Sequence, residues 1–264
     1  MPFMEIDDIN IYYEIHGEGD PIIFGNGIFS NTLGWVNQLP VFSKDYQVIL
    51  YDMRGQGQSD KPQSQYSFEL HAKDQKMLLD GLGISKVHHV GISYGAELGL
   101  VFALKYPKMV MSLVACSAVS HIGTLLRNMC ELWRYACVRA DPEMFYHSTV
   151  PLNFGETFIR EQGAILEAAK ERYIHLDYPS LVRLLDAFLL LDIKDHLPKI
   201  KTPTCVIAGE KDILKPAYPY SQIIHDSILN SEMIIVQDSG HAITFEKPNE
   251  FNSIVMGFLQ KQIK

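Results

Sequence analysis

The sequence has little positive charge and no long apolar run. Its 264 residues carry 23 Lys and Arg against 31 Asp and Glu, which gives a net charge of −8. That balance provides no electrostatic footprint for nucleic acid or for an anionic membrane. No apolar stretch reaches transmembrane length, and the first residues lack the basic and apolar regions of a signal peptide. We therefore expect a cytoplasmic protein with no nucleic-acid partner and no membrane span.

Cysteine and histidine are not arranged as metal ligands. The four cysteines include no Cys-x-x-Cys pair, and the ten histidines include no His-Glu-x-x-His motif. We expect buried free thiols, no metal and no cofactor. With 47% hydrophobic residues, a chain of this length can bury a large core without disulfides.

Strand-like and helix-like segments alternate along most of the chain. Helices are predicted between the strands, for example at residues 68–82, 94–106 and 248–260, each bounded by Gly or Pro. The alternation predicts an α/β fold with a mostly parallel, doubly wound sheet of about eight strands. The predicted strands are residues 3–6, 9–15, 21–24, 47–51, 86–92, 112–117, 204–208 and 233–236.

The alternation stops between residues 120 and 195, which contain helix-period runs but no clear strand. The stretch is too long for a loop. We therefore expect a core domain of residues 1–119 and 196–264, with residues 120–195 as a helical insertion. Its predicted helices are residues 124–140, 142–147, 156–173 and 180–192, with Pro151 and residues 177–179 among the breaks.

The most informative motif is Gly91-x-Ser93-x-Gly95, which follows a strand-like run and precedes a helix-like run. This is the pattern of a nucleophile elbow, a sharp turn that exposes a serine hydroxyl above a helix N-terminus. The two glycines remove Cβ atoms that would block neighbouring backbone. Ser93 is therefore the candidate nucleophile.

Two further polar residues follow strand-like runs, Asp212 and His241. Both should lie on loops at the carboxyl edge of the sheet, where open parallel sheets bind ligands. A histidine can take the proton of Ser93, and a carboxylate can orient that histidine. Glu210 and Asp238 are alternatives to Asp212 as the acid.

On these residues, and on the Asp-x-Arg-Gly-x-Gly-x-Ser segment that begins at Asp52, the chain resembles the α/β-hydrolase superfamily over essentially its whole length. The order serine, acid, histidine is the one expected in that family. The resemblance implies that residues 120–195 form a lid and that the backbone N–H groups of Ile28 and Tyr94 form an oxyanion hole. The first sheet loop has Asn26 where the family usually has histidine. We expect Asp52 and Arg54 to pair and to stabilise the loop after their strand, with substrate contact as the alternative.

The expected activity is hydrolysis of a small to medium carboxylic ester or lactone through an acyl-enzyme on Ser93. A thioesterase or acyltransferase is the alternative within the family, and a non-catalytic ligand-binding receptor is the alternative outside it. The partner is then a small-molecule ester, lactone or thioester, and the acyl group and the oligomeric state stay open. The candidate substrate contacts are Asn26, Phe29, Trp133, Phe154, Phe158 and Phe188.

Overall fold

The computed structural model describes residues 3–262, and its centre is an eight-stranded sheet. The strand order is β1-β2-β4-β3-β5-β6-β7-β8. The first two pairings are antiparallel and the remaining five are parallel, which confirms the predicted mostly parallel sheet. The strands are β1 (Phe3–Ile6), β2 (Ile9–His16), β3 (Asp20–Gly25), β4 (Tyr46–Tyr51), β5 (Val87–Ile92), β6 (Val110–Cys116), β7 (Thr204–Gly209) and β8 (Ser231–Val236).

The helices start and stop at the signals that local sequence supplies. Ser67 caps α2 (Phe68–Gly81), because its hydroxyl accepts a hydrogen bond from the Leu70 amide at 3.1 Å.

 Gly83 follows α2 with a φ of 72°, which lies in the region that favours glycine, so the chain can turn away from the helix there. The helices are α1 (Leu39–Phe42), α2 (Phe68–Gly81), α3 (Tyr94–Lys105), α4 (Thr124–Val138), α5 (Pro142–Asn153), α6 (Glu156–Ala168), α7 (Tyr178–Leu189), α8 (Gln222–Ser227), α9 (Ile243–Glu246) and α10 (Pro248–Gln260).

Two hydrophobic layers cover the two faces of the sheet. Alternate residues of β3 point to opposite sides, so Ile23 joins one cluster while Ile22 and Phe24 join the other. Helices α2 and α3 complete the first layer, and α1 and α10 supply Phe42 and Phe251 to the second. Both faces of the parallel strands are therefore buried, and the loops at the strand ends remain to form a site.

Helices α4 to α7 leave the sheet after β6 and return to it at β7, so this part of the chain is a helical insertion. The expected break at Pro151 is wrong, since α5 continues through that proline to Asn153. Pro151 lies in the last turn, where a missing N–H removes only one bond before the helix ends. The expected break at residues 177–179 is present but shorter than expected, because α7 begins at Tyr178. Asp177 caps α7 there by accepting from the Ser180 amide at 2.8 Å.

Candidate active site

Ser93 lies at the turn between β5 and α3 with a strained backbone. Its φ of 52° and ψ of −125° fall in a region that residues with a Cβ rarely adopt. The Ser93 amide donates to the Cys116 carbonyl of the neighbouring strand at 2.8 Å, which anchors the turn to β6. The sharp turn thus places the serine at the carboxyl edge of the sheet.

Glycines allow α3 to approach the sheet this closely. A Cβ on Gly95 would lie 2.1 Å from the Gly25 carbonyl oxygen, and one on Gly91 would lie 2.4 Å from the Gly95 carbonyl oxygen. Both distances are far below van der Waals contact. The two glycines of the motif are therefore required by the close approach of α3 to β3 and to β5.

Asp212 and His241 meet on the loops after β7 and β8. His241 Nδ1 lies 2.8 Å from Asp212 Oδ2, and both side chains are buried. The other carboxylate oxygen of Asp212 accepts from the amides of Leu214 and Lys215 at 3.0 and 2.8 Å. These contacts fix the carboxylate so that it can hold the imidazole in one orientation.

The two alternative acids make other contacts. Glu210 accepts from the Asp238 amide at 3.0 Å. The Asp238 carboxylate lies 3.5 Å from Lys247 Nζ and accepts from the Thr157 hydroxyl at 3.2 Å. Of the three candidate carboxylates, Asp212 is the one bonded to His241.

The Ser93 hydroxyl contacts a residue that the sequence analysis missed. Lys215 Nζ donates to Ser93 Oγ at 3.1 Å, whereas no hydrogen bond in residues 3–262 joins Ser93 Oγ to His241. The ammonium also donates to both carboxylate oxygens of Glu97, at 2.9 and 3.1 Å. Glu97 stands four residues after Ser93 on α3, and its carboxylate accepts from the Val119 amide at 2.8 Å. A lone acid in an otherwise apolar helix was the signal that could have indicated this pair.

The pair is enclosed in protein. Lys215 is 2% exposed and Glu97 is fully buried. Burial raises the pKa of the Glu97 carboxyl, and the positive charge of Lys215 opposes that effect. The Lys215 ammonium also lies 4.6 Å from the centre of the Phe188 ring.

The two amides expected to form the oxyanion hole flank the serine. Tyr94 is the first residue of α3, and Ile28 lines the same cavity as Ser93. Neither amide donates to an acceptor within the part of the chain that the structure describes. Both are therefore free to donate to a ligand beside Ser93 Oγ.

Asn26 supports the first sheet loop from behind. Its side-chain amide donates to the Tyr51 carbonyl at 2.8 Å and accepts from Trp35 Nε1 at 2.7 Å. With its side chain used in this way and 1% exposed, Asn26 holds the loop that carries Ile28 and does not line the cavity. The expectation that Asn26 contacts substrate is therefore not supported by its position.

The cavity beside Ser93 is small and mostly apolar. Its volume is about 10 Å³, which is room for about one water molecule. Helix α4 contributes Leu126 and Trp133 and α7 contributes Phe188, so the insertion covers the serine. The lining is completed by Ile28, Tyr94, Leu214 and Lys215.

The other expected substrate contacts lie elsewhere. Phe154 and Phe158 stack on each other with ring centres 5.0 Å apart, in a separate cluster inside the insertion. Phe29 lines an open groove of about 280 Å³ and packs against Trp133 with ring centres 5.7 Å apart. Of the four aromatic residues expected from the insertion, the structure brings Trp133 and Phe188 to Ser93.

The Glu246 carboxylate connects the insertion to the loop of His241. One oxygen of Glu246 accepts from the Gly155 amide at 3.1 Å and from the Gly240 amide at 3.0 Å. Gly155 immediately precedes α6, and Gly240 immediately precedes the histidine. The insertion and the loop that carries His241 are thus bonded to the same side chain.

The expected pairing of Asp52 with Arg54 is wrong. Arg54 donates to Asp74 at 2.7 Å and to Asp8 at 2.9 Å. Asp52 instead accepts from the amides of Thr32 and Gln58, at 2.8 and 2.7 Å. A carboxylate held by two amides supports its loop without a cation, which frees the arginine to bond to α2.

Residues 3–262 contain neither a group of potential metal ligands nor a helix suited to a bilayer. No group of three or more His, Cys, Asp or Glu side chains in this range is placed to hold a metal ion. In the same range, no helix has both the length and the apolar character needed to cross a bilayer.

Known proteins resemble this chain along nearly its whole length. The sequence model of a family described as alpha/beta hydrolase fold matches residues 20–248. A protein from Azorhizobium caulinodans named "Putative carbamate hydrolase RutD" is 28% identical, over 98% of each chain.

Two solved structures extend the comparison. MGS-M2, an alpha/beta hydrolase enzyme from a Medee basin deep-sea metagenome library, is 31% identical with a TM-score of 0.94, over 98% of this chain and 97% of its own. Est816, described as an N-acyl homoserine lactone degrading enzyme, is 30% identical with a TM-score of 0.85, over 97% of this chain and 100% of its own. Over nearly its whole length, the fold of this chain is therefore similar to that of these two enzymes.

Proposed function

Since this chain belongs to the alpha/beta hydrolase fold family, we propose that it is a serine hydrolase that cleaves a short carboxylic ester or lactone. The observation that carries the proposal is the meeting of three strand ends. Ser93 stands on the strained turn after β5, and the bonded pair of Asp212 and His241 stands on the loops after β7 and β8. A fold alone does not determine chemistry, but this set of side chains supports acyl transfer.

The reaction would proceed through an acyl-enzyme. Ser93 Oγ attacks the substrate carbonyl while His241 Nε2 takes its proton, and His241 then protonates the leaving oxygen. Asp212 stabilises the charged imidazole. The free amides of Ile28 and Tyr94 hold the oxyanion, a contribution of about 3 kcal/mol for each donor. A water molecule then attacks the acyl carbonyl while His241 takes the water proton, and His241 returns that proton to Ser93 Oγ as the acid leaves.

The proposal includes two movements. The Ser93 hydroxyl is bonded to Lys215, so it must turn toward His241 before attack. The cavity of about 10 Å³ is too small for an acyl group, so α4 or α7 must shift to admit one. We therefore propose that the helical insertion acts as a lid.

Hydrolysis of a carbamate is the second candidate function. It is favoured by the name of the Azorhizobium caulinodans relative, which aligns over 98% of each chain. Attack on a carbamate would use the same residues, because its carbonyl passes through the same kind of tetrahedral intermediate. Its nitrogen makes that carbonyl less electrophilic, so the two substrate classes are separable by rate.

Covalent labelling tests the proposal. The wild-type protein should react with a fluorophosphonate at Ser93, as located by mass spectrometry of the labelled peptide, and Ser93→Ala should remain folded but unlabelled. p-Nitrophenyl acetate should then be hydrolysed faster than p-nitrophenyl N-methylcarbamate, and the reverse order would favour the second candidate. Equal labelling of Ser93→Ala would place the nucleophile elsewhere, and a wild type that hydrolyses neither substrate would favour a receptor.

A further inference from the structure

The ion pair of Lys215 and Glu97 is not explained by folding. Burying two charges costs several kcal/mol for each ion, and well-packed apolar residues in place of a buried pair are often equally or more stable. The surrounding residues Leu126, Leu214 and Phe188 could pack against apolar side chains at these positions. The pair nevertheless lies against the Ser93 hydroxyl, which points to a role at the site.

The hydrogen bonds of Lys215 account for its three N–H groups. Two point to Glu97 Oε1 and Oε2, at 2.9 and 3.1 Å, and the third points to Ser93 Oγ at 3.1 Å. The bonds to Glu97 hold the ammonium in place because that carboxylate is itself fixed by the Val119 amide. The bond to Ser93 is the one that catalysis disturbs.

Attack requires Ser93 Oγ to turn toward His241, and this movement leaves one N–H of Lys215 without an acceptor. A buried charged donor without a partner is costly, so an acceptor must replace the hydroxyl. The donor faces the cavity that an acyl group would enter, and it is the one charged side chain among the described residues of that lining. Because an entering acyl group would fill this small, mostly apolar cavity and exclude water, the replacement acceptor is an atom of the substrate.

We propose that Lys215, held by Glu97, selects short acyl groups that carry a neutral oxygen acceptor close to the reacting carbonyl, such as an ether, hydroxyl or keto oxygen. This inference rests on the proposed function, because it assigns the acyl group of the same reaction. Lys215 contacts the nucleophile oxygen before attack and the acyl oxygen during it. Glu97 acts through Lys215 as a positioning residue.

Charge balance determines that the acceptor is neutral. Glu97 places a full negative charge within 3.1 Å of the ammonium, so the pair as a whole has no net charge. A carboxylate on the acyl chain would gain one hydrogen bond to Lys215 but would meet the charge of Glu97 in a cavity with apolar walls. A neutral oxygen gains the same bond without that repulsion.

The test compares two esters of almost equal shape. p-Nitrophenyl methoxyacetate differs from p-nitrophenyl butanoate by an ether oxygen in place of one methylene. For the wild type, the ratio of their kcat/KM values, divided by the ratio of their hydroxide-catalysed rates, should exceed about tenfold, as expected for a hydrogen bond from a charged donor. A normalised ratio near one would overturn the inference.

Two double variants isolate the donor. Glu97→Gln/Lys215→Met removes both charges and the N–H group, whereas Glu97→Gln/Lys215→Gln removes both charges and keeps a neutral N–H donor. The methionine variant should lose the preference for methoxyacetate and the glutamine variant should retain part of it. The same normalised methoxyacetate-to-butanoate ratio in both variants, whether lowered or equal to that of the wild type, would overturn the inference.

The outcomes separate this inference from the proposed function. A wild type that is labelled at Ser93 and hydrolyses both esters without preference refutes the role of Lys215 alone. A wild type that is neither labelled nor active refutes the proposed function itself. The wild-type measurement needs no variant to fold, and Lys211→Met, an exposed change on the same loop, is the matched control for the variants.

Discussion

Two buried histidines beneath the elbow should make the fold sensitive to acid. His71 on α2 packs between the rings of Tyr66 and Tyr94, with ring centres 5.8 and 5.5 Å away, and neither of its ring nitrogens has a partner among the described residues. His89 on β5 is also fully buried, with Nε2 3.3 Å from Gln75 Oε1. Burial lowers the pKa of each histidine from 6.5 to about 3.

The sign of the effect follows from where the protons bind. Between pH 6.5 and about 3 the unfolded chain protonates these histidines and the folded chain does not, so their contribution to stability is complete above pH 6.5 and is lost as the pH falls. One pKa unit corresponds to about 1.4 kcal/mol. At pH 5 each histidine should therefore have reduced the free energy of unfolding by about 2 kcal/mol, or about 4 kcal/mol together. That is a large share of the 5–15 kcal/mol typical of a folded protein.

The perturbation is His71→Leu, which removes the titrating group and its two unpartnered nitrogens at similar volume. Urea unfolding followed by circular dichroism at pH 8, 7, 6 and 5 gives the free energy at each pH, and the value at pH 8 reports any packing change separately. The fall from pH 8 to pH 5 should be about 2 kcal/mol smaller in the variant than in the wild type. Equal falls in the two proteins would refute the reasoning, because every other titrating group is common to both.

Three further changes test the site. Asp212→Asn should lower kcat on p-nitrophenyl acetate by about 10⁴-fold because the imidazole loses its orienting carboxylate, and a larger loss in Asp238→Asn would show that the acid is misassigned. Gly95→Ala should lower the free energy of unfolding in urea by about 1–3 kcal/mol, because its Cβ would lie 2.1 Å from the Gly25 carbonyl oxygen. Unchanged stability would contradict the close approach of α3 to β3. Trp133→Ala should shift the ratio of rates on long and short acyl esters, because Trp133 lines the cavity. Phe158→Ala should lower the melting temperature without that shift, because Phe158 packs within the insertion. A shifted ratio in Phe158→Ala and an unchanged one in Trp133→Ala would show that Phe158 lines the pocket.

The sheet and the elbow were predictable because each depends on neighbouring residues. Alternation of strands and helices determines a parallel sheet, and most predicted strand boundaries fall within two residues of those observed. Gly91 and Gly95 mark a turn that few other residues permit. Asp212 and His241 could be placed at one edge since both follow parallel strands, which end on the same side.

The contents of the site were less predictable because they depend on contacts between distant parts of the chain. Lys215 and Glu97 are 118 residues apart, and neither has a local pattern that identifies its partner. Aromatic residues occur in several helices of the insertion, but the orientation of each helix decides which of them face Ser93. Trp133 on α4 does, whereas Phe158 on α6 packs within the insertion.

The contact of Glu246 with Gly155 and Gly240 constrains how this protein can be engineered. One carboxylate oxygen of Glu246 accepts hydrogen bonds from the residue before α6 and from the residue before His241. A change in the length of the α5–α6 junction would therefore displace the proposed base. Helices α4 and α7 contribute side chains to the cavity wall and take no part in these two hydrogen bonds. Exchanging those two helices while keeping the junction at Gly155 should therefore change the proposed substrate cavity without displacing His241.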